Sequence, residues 1–203
     1  MVTLADLARR LNSRHGRGHR PPALVLMTDS RRLPDPAPAI MRLPADAMVV
    51  FRHYEDPDRE AKAAALLVLC RRRRLPLLVA GDWRLAARLG ADGVHLPEAL
   101  AGAAAAIRRR RRWRVTAAAH SEAALRRAAD AGVDAVLLSP VFATRSHPGA
   151  RTLGPRRFAR LVRQVEVPVY ALGGVDRATA PRLLGSGAVG IAAIGGLARA
   201  QGR

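Results

Sequence analysis

The sequence is poor in lysine and aromatic residues, and none of its apolar runs is long. Of the 35 basic side chains, one is a lysine, Lys62. Aromatic residues make up 3% of the 203 residues, so the hydrophobic core has to be aliphatic. No apolar run approaches the ~20 residues that a membrane-spanning helix needs. The N-terminal segment also lacks the apolar stretch of a secretory signal, so we expect a cytoplasmic protein with no membrane partner.

Cysteine is almost absent as well. The single residue, Cys70, excludes an internal disulfide and any metal site built from several cysteines. It directly follows the apolar run 66–69, which is typical of a helix that packs on a core. The sequence therefore favours a buried structural thiol over a nucleophile.

The formal net charge is +19, and arginine supplies nearly all of the positive charge. Enrichment in Arg, Ala, Gly and Pro is what a GC-rich coding sequence would give, so the charge is a weak guide to function. Two arginine clusters, 71–74 and 108–112, follow helical patterns, and cations are favourable at helix C-termini. No stacking aromatics or RNA-binding motif accompany them. We expect no specific nucleic-acid partner.

Eight short, continuous apolar runs alternate with helical patterns along the chain. The runs are 23–27, 47–51, 75–80, 93–96, 113–118, 135–138, 167–172 and 189–194. Continuous rather than alternating runs indicate strands that are covered on both faces, as in a parallel sheet. Eight of them in strict alternation with helices, roughly 20–30 residues apart, predict a single (β/α)8 TIM barrel across residues 1–203.

The helical patterns are uneven in length. Residues 3–12 predict an N-terminal helix capped by Thr3, and a basic connector completes residues 1–22. Residues 31–44 carry four prolines and fit only a very short helix, and few residues follow the eighth run. Longer helices are expected to start at Asp56, Pro97 and Ser121, and the helix 83–89 is expected to end at Gly90. A helix of ordinary length is also expected from Asp176 to Gly185 or Gly187. Short first and eighth helices leave the barrel either locally open or covered by a partner subunit, and the second option would make the protein a homodimer.

Polar and glycine-rich segments follow the sixth, seventh and eighth strands. The loop after the sixth strand carries Thr144, Ser146 and His147, and the next two strands end in Gly173–Gly174 and Gly195–Gly196. Glycine lets backbone N–H groups approach an anion closely. Because active sites of TIM barrels lie at the C-terminal ends of the strands, with phosphate often bound after the last two, these residues are candidates for binding a phosphorylated small molecule.

Five segments of the sequence resemble the thiamine phosphate synthase/TenI family of barrels. They are GADGVHL at 90–96, AHSEAAL at 119–125, PVFAT at 140–144, VPVYALGGV at 167–175 and GAVGIAAIGGL at 187–197. The likeness extends from about residue 23 to residue 197, so the chain is identified as a divergent member. In this family the synthase joins a hydroxymethylpyrimidine pyrophosphate to a thiazole phosphate with the help of magnesium. TenI relatives use the same pocket to tautomerise a carboxythiazole phosphate without metal.

Several positions match residues with known roles in the family. The resemblance places Gly174 and Gly195–Gly196 on its phosphate loops and Thr144 on a threonine of the sixth loop. Arg52 matches the arginine of the synthase motif Arg-Glu-Lys. His120 matches the acid/base histidine of TenI, and an imidazole suits proton transfer near neutral pH. The synthase pattern often has a histidine there too, and a solvated histidine at a helix start is the alternative.

The pyrophosphate side of the pocket departs from the family pattern. The motif lysine falls on Tyr54, and the second magnesium aspartate falls on Leu100. The Asn-Asp pair after the third strand falls on 80–81, which leaves Asp82 as the carboxylate there and Glu98 as the one nearest Leu100. Magnesium requires hard oxygen ligands. Asp82 and Glu98 are therefore the candidate ligands if the reaction is coupling, whereas a tautomerase would need no cofactor.

The other histidines are weaker candidates. His95 lies within the fourth strand and is expected to pack or hydrogen-bond inside the barrel. His15, His19 and His53 show no pattern of a site.

Three functions follow from the resemblance. The favoured one is a synthase-like transferase that forms a C–N bond between small phosphorylated pyrimidine and thiazole substrates, based on the overall likeness and Arg52. The second is a metal-independent thiazole tautomerase that uses His120. The third is a protein that binds thiazole or thiamine phosphate without catalysis, suggested by the lost pyrophosphate-side residues.

Overall fold

Eight parallel strands close into a barrel, which confirms the predicted TIM fold. The computed structural model describes residues 2–13, 21–110, 113–144, 149 and 151–198. The strands are β1 Leu24–Met27, β2 Ala47–Phe51, β3 Leu77–Ala80, β4 Gly93–Leu96, β5 Arg114–Ala119, β6 Ala135–Leu138, β7 Val169–Leu172 and β8 Gly190–Ala193. They pair in chain order, and β8 pairs with β1, so the sheet has no free edge.

Helices alternate with the strands on the outside of the barrel. They are α1 Leu4–Asn12, α2 Ala37–Met41, α3 Arg59–Arg72, α4 Trp83–Leu89, α5 Ala104–Arg110, α6 Glu122–Asp130, α7 Gly154–Val162 and α8 Gly195–Ala198. Two 3-10 helices, Glu98–Ala103 and Ala180–Leu183, lie among them. Within the described ranges, no helix is long and apolar enough to cross a membrane.

The core has two layers because successive side chains of each strand point to opposite faces of the sheet. In β1, Val25 and Met27 belong to the cluster that fills the barrel. Leu24 and Leu26 belong to the cluster between the strands and the helices. Burying a Val, Leu or Met side chain contributes roughly 1.5–3 kcal/mol. The strands are therefore apolar at most positions, and this explains the continuous runs in the sequence; His95 in β4 and Arg114 and Thr116 in β5 are the polar exceptions.

Local signals set the helix ends at several predicted positions. Thr3 caps α1 in a reciprocal capping box with Asp6. Ser121 Oγ accepts the N–H of Ala124 at 3.1 Å and caps α6. Gly90 has a φ of 66° and ends α4 in the left-handed region, where glycine carries no Cβ penalty. These caps confirm the predicted starts of α1 and α6 and the end of α4.

The N-terminal helix covers the seam left by the short helices α2 and α8. Leu4, Leu7 and Leu11 are buried, and α1 packs against β1 and β8. Asn12 Nδ2 donates to the carbonyl oxygen of Val189 at 2.9 Å. The barrel is closed rather than locally open, and α1 supplies cover for which a partner subunit was the other expectation. A homodimer stays a prediction, and the short helices no longer argue for it.

The helix predicted from Asp176 is wrong in its extent. Only the 3-10 helix Ala180–Leu183 forms there. Asp176 Oδ1 accepts the N–H groups of Ala178 and Thr179, both at 2.9 Å, which closes a turn in place of the first helical turn. Pro181 then lacks the N–H that an α-helix requires. The shortage of helix thus extends to the segment after β7.

Two other helix starts also differ from the prediction. The helix expected at Pro97 begins as the 3-10 helix Glu98–Ala103 and becomes α-helical at Ala104. The helix expected at Asp56 begins at Arg59. Asp56 Oδ1 accepts the N–H of Asp58 at 3.0 Å, so residues 56–58 form a turn before the helix.

Cys70 lies in α3 with no exposed surface, as predicted. Burial raises the pKa of its thiol to about 12, and the negative charge of Asp92 adds to this. The thiolate, which is the nucleophilic form, is therefore negligible at neutral pH. Cys70 acts as a small apolar side chain.

Candidate active site

The candidate residues of six strands meet at one mouth of the barrel, because parallel strands have their C-terminal ends on the same side. They are Arg52 after β2, Asp82 after β3, Glu98 after β4, His120 after β5, Thr144 after β6 and Gly173–Gly174 after β7. Gly195–Gly196 joins them after β8 as the start of α8. Ser146 and His147 lie outside the described residues, and so do His15 and His19.

His120 and Glu98 form a hydrogen-bonded pair at the ends of β5 and β4. Glu98 Oε2 lies 2.8 Å from His120 Nδ1 and accepts the backbone N–H of His120 at 2.9 Å. The 3-10 helix that begins at Glu98 brings this carboxylate to the end of β5. A carboxylate that accepts from Nδ1 fixes the tautomer and the orientation of the imidazole. The pair is a candidate acid/base group, and 48% of the His120 side chain is exposed.

Both candidate magnesium ligands face cations or N–H donors. Asp82 Oδ1 accepts the N–H of Leu85 at 2.9 Å, and its Oδ2 lies 3.9 Å from Arg59 Nη1. Glu98 Oε2 binds His120, and Oε1 lies 3.4 Å from Arg127 Nη2. In the part of the chain that the structure describes, no three His, Cys, Asp or Glu side chains group to hold a metal. Because guanidinium groups already face both carboxylates, these residues fit a magnesium ion poorly. The assignment of Asp82 and Glu98 as ligands stays a prediction.

Tyr54 occupies the mouth above the end of β3, between two arginines. A Cβ atom on Gly81 would lie 3.0 Å from Tyr54 Cε1, so the ring rests on that glycine. The guanidinium carbons of Arg52 and Arg59 lie 6.0 and 5.6 Å from the centre of the ring. Arg59 could not be predicted from the sequence as part of the mouth, because a residue in the first turn of a helix gives no sign that its side chain reaches back to a strand end.

The loops after β7 and β8 are brought together as a phosphate site would require. Gly173 and Gly174 have φ values of 90° and 65°. Their N–H groups donate to no acceptor among the described residues. A Cβ atom on Gly196 would lie 3.0 Å from the carbonyl oxygen of Val175, so the second glycine pair lies beside the first loop.

Close packing also requires glycine at position 174. A Cβ atom there would overlap the carbonyl oxygen of Ala143 and lie 2.8 Å from the carbonyl carbon of Phe142. The loop after β7 therefore rests directly on the loop after β6, next to Thr144. The glycines serve two purposes, since they permit this contact and leave N–H groups for a ligand.

His95 faces the inside of the barrel below the mouth, which confirms the prediction made for it. Its Nδ1 lies 2.9 Å from Thr116 Oγ1, and 3% of the residue is exposed. Burial lowers the pKa of His95 to about 3, and the positive charges of Arg52 and His120 add to this. His95 is therefore a neutral hydrogen-bonding residue at physiological pH.

We expect His95 to make the protein less stable in mild acid. The folded-state pKa of His95 is below the unfolded value of about 6.5, so the unfolded chain binds the proton more readily than the folded protein. The contribution of His95 to the free energy of unfolding is therefore complete above about pH 6.5 and is lost as the pH falls towards 3. At pH 5 the loss is about 2 kcal/mol, since each pKa unit is worth about 1.4 kcal/mol. Urea unfolding at pH 7.5 and pH 5 measures this difference. His95→Gln should reduce the difference by about 2 kcal/mol, and the buried His53, whose pKa burial also lowers, should account for the rest. His120→Gln, which changes an exposed imidazole, should leave the difference intact; an unchanged difference in His95→Gln would contradict the assignment.

His53 is fully buried rather than incidental. Neither ring nitrogen has a hydrogen-bond partner within the described residues, and Nδ1 lies 3.6 Å from Asp56 Oδ2. Burial lowers the pKa of His53, which opposes the smaller effect of Asp56. Its ring packs against Phe51 with the centroids 5.0 Å apart. His53 thus anchors the turn that carries Arg52 and Tyr54.

Comparison with known sequences gives a consistent result. The family model described as "thiamine monophosphate synthase" matches residues 29–197. The chain is 35% identical to the "putative thiamine-phosphate synthase 2" of Aquifex aeolicus over 72% of this chain and 80% of that one. It is 34% identical to the thiamine-phosphate synthase of Methylobacillus flagellatus over 84% of this chain and 82% of that one.

Among solved structures, the barrel is similar to a thiamine phosphate pyrophosphorylase from Pyrococcus furiosus. The TM-score is 0.73 with 24% sequence identity, over 88% of each chain. At this identity the likeness establishes the shared fold.

Proposed function

Because the chain belongs to the thiamine monophosphate synthase family, we propose that it couples a pyrimidine diphosphate to a thiazole phosphate. In this reaction the thiazole nitrogen donates its electron pair to the methylene carbon of the pyrimidine substrate. The C–O bond to the diphosphate breaks, and inorganic diphosphate leaves with that electron pair. The relatives in Aquifex aeolicus and Methylobacillus flagellatus carry names for this transferase activity.

The observation that carries the proposal is the pair of backbone N–H groups at Gly173 and Gly174, which donate to no acceptor within the described residues. They lie on the side of the mouth where TIM barrels often bind phosphate. The loop of Gly196 lies against the same segment. Arg182 adds a cation nearby, with its guanidinium carbon 5.1 Å from the centre of the Phe142 ring. We assign the thiazole phosphate to this position, with Thr144 as a further contact.

Two measurements test the function. The purified protein should form thiamine phosphate from both substrates, measured by chromatography with and without added magnesium. Calorimetry should detect binding of the thiazole phosphate alone. Binding without any product would replace the transferase by a non-catalytic phosphate-binding protein, and absence of binding would remove both.

The His120–Glu98 pair favours a second candidate, a thiazole tautomerase. Tautomerisation moves a proton from one carbon to another, and an oriented imidazole can accept one proton and return another. The 2.8 Å contact between His120 Nδ1 and Glu98 supplies that orientation without a metal. Proton NMR of a carboxythiazole phosphate incubated with the protein measures this reaction. No isomerisation in the presence of binding would dismiss this candidate.

The remaining expectations concern location and assembly. The substrates of either reaction are small phosphorylated heterocycles. A cytoplasmic location and a homodimer stay predictions, which fractionation of cells and light scattering of the purified protein would decide.

A further inference from the structure

Arg52 is a cation at the mouth of the barrel. Its backbone is fixed, because its N–H donates to Thr28 Oγ1 at 2.8 Å. Its side chain is half-buried and has no hydrogen bond or ion pair within the described residues. Its guanidinium carbon lies 6.0 Å from the centre of the Tyr54 ring, which rests on Gly81 at the end of β3. A partly desolvated guanidinium that has no anion beside it is well suited to bind an anionic ligand.

Arg59 supplies a second guanidinium with unused donors. Nη2 donates to the carbonyl oxygen of Ala80 at 2.6 Å, which holds the group at the end of β3. Nε is buried and has no acceptor in the described residues, and the nearest carboxylate oxygen, of Asp82, is 3.9 Å from Nη1. A buried N–H without a partner is costly, which is the usual mark of a missing ligand or water.

Tyr54 holds these two cations on one ring. Both guanidinium carbons lie within 6.0 Å of the ring centre, close enough for a favourable cation–π interaction. The ring rests on Gly81, at the strand end where the family pattern has a magnesium-binding carboxylate. Two positive charges thus lie beside one ring, while Asp82 faces Arg59 and the N–H of Leu85 and Glu98 binds His120.

We propose that Arg52 and Arg59, aligned by Tyr54, bind the diphosphate of the pyrimidine substrate and take the place of a magnesium ion. This inference rests on the proposed coupling reaction. Guanidinium groups form paired hydrogen bonds with phosphate oxygens and together carry the same formal charge as magnesium. They stabilise the leaving diphosphate as it takes the electron pair of the broken C–O bond.

Binding of inorganic diphosphate in excess chelator tests the site directly. We expect the full chain to bind diphosphate in EDTA, as measured by calorimetry, with little change on adding magnesium. Arg52→Gln should weaken this binding at least tenfold, because it removes one of the two guanidinium groups that bind the diphosphate. The substitution breaks no side-chain hydrogen bond within the described residues. Arg59→Gln should weaken the binding by the same factor, and the double variant should lose at least a hundredfold.

Arg126→Gln is the matched control. Arg126 lies on α6 and pairs with Glu122 at 2.7 Å, so its substitution also removes one positive charge from the protein. Diphosphate affinity should stay unchanged in this variant. An equal loss in Arg126→Gln would mean that overall charge, rather than the site, attracts the anion, and the proposal would fail.

The site and the proposed function fail in different ways. Diphosphate that binds only with magnesium would overturn the inference, while product formation under those conditions would uphold the coupling reaction. Diphosphate that binds in EDTA without any coupling would uphold the site and reject the reaction. Arg59→Gln removes the contact with Ala80 and is checked for folding by circular dichroism. If Arg59→Gln proves unstable, the diphosphate affinity of Arg52→Gln decides whether the proposed site exists.

Discussion

Alanine in place of Gly174 is expected to abolish binding of the thiazole phosphate and to lower the free energy of unfolding by about 2–4 kcal/mol. The φ value of 65° is unfavourable for a residue with a Cβ atom. That Cβ would also overlap the carbonyl oxygen of Ala143, so the loops after β6 and β7 have to separate. Calorimetry and urea unfolding measure the two effects.

Gly132→Ala separates backbone strain from the steric overlap. Gly132 has a φ value of 73°, and a Cβ atom there would meet nothing within 4 Å. It should lose only about 1–2 kcal/mol, the cost of a left-handed residue with a side chain, and should keep full affinity for the thiazole phosphate. Equal losses of stability and unchanged ligand affinity in both variants would show that the contact between the two loops is unimportant.

His120→Ala is expected to separate the two candidate reactions. General acid–base catalysis contributes about 10²–10⁴-fold, so isomerisation of the carboxythiazole phosphate should fall by that factor. Coupling needs no proton transfer at the reacting carbon and should fall by less than tenfold. Steady-state rates with each substrate set measure the difference, and calorimetry should find thiazole phosphate affinity unchanged.

Glu98→Gln is the conservative partner of this variant. It keeps the shape of the side chain and removes the carboxylate that accepts from His120 Nδ1. Loss of a hydrogen-bond partner that orients a histidine typically lowers activity about 10–100-fold. The rate of isomerisation should therefore fall less in Glu98→Gln than in His120→Ala. An equal fall of coupling and isomerisation in both variants would assign the pair to substrate binding, and full isomerisation without His120 would reject the tautomerase.

The strands could be predicted from sequence because burial on both faces favours apolar residues at nearly every position. Helix α4 was also predicted to the residue, since Trp83–Leu89 is followed directly by Gly90. The structure of the segment after β7 could not be predicted in the same way, because Asp176 and Pro181 are both compatible with the start of an α-helix. The turn that forms there instead is closed by Asp176 Oδ1 and by the hydrogen bond from Thr179 Oγ1 to the carbonyl oxygen of Gly174 at 2.9 Å.

The site was predictable in position and less so in its contacts. Residues that follow strands must reach the same mouth, so the places of Arg52 and His120 follow from the topology. The partner of His120 does not follow from the topology. Glu98 reaches the histidine from a 3-10 helix, where the sequence predicts an α-helix. Arg59 was missed for another reason, since one arginine in so arginine-rich a chain carries little signal.

The packing of α1 on β8 also dictates an order of events during synthesis. Asn12 bonds to Val189, 177 residues further along the chain. The apolar face of α1 therefore leaves the ribosome long before the strand that buries it exists. Contacts of such large sequence separation slow folding, and an exposed apolar helix face invites association with other nascent chains. The barrel is completed only when the last strand arrives, so a chain that stalls before β8 is an exposed substrate for chaperones and proteases.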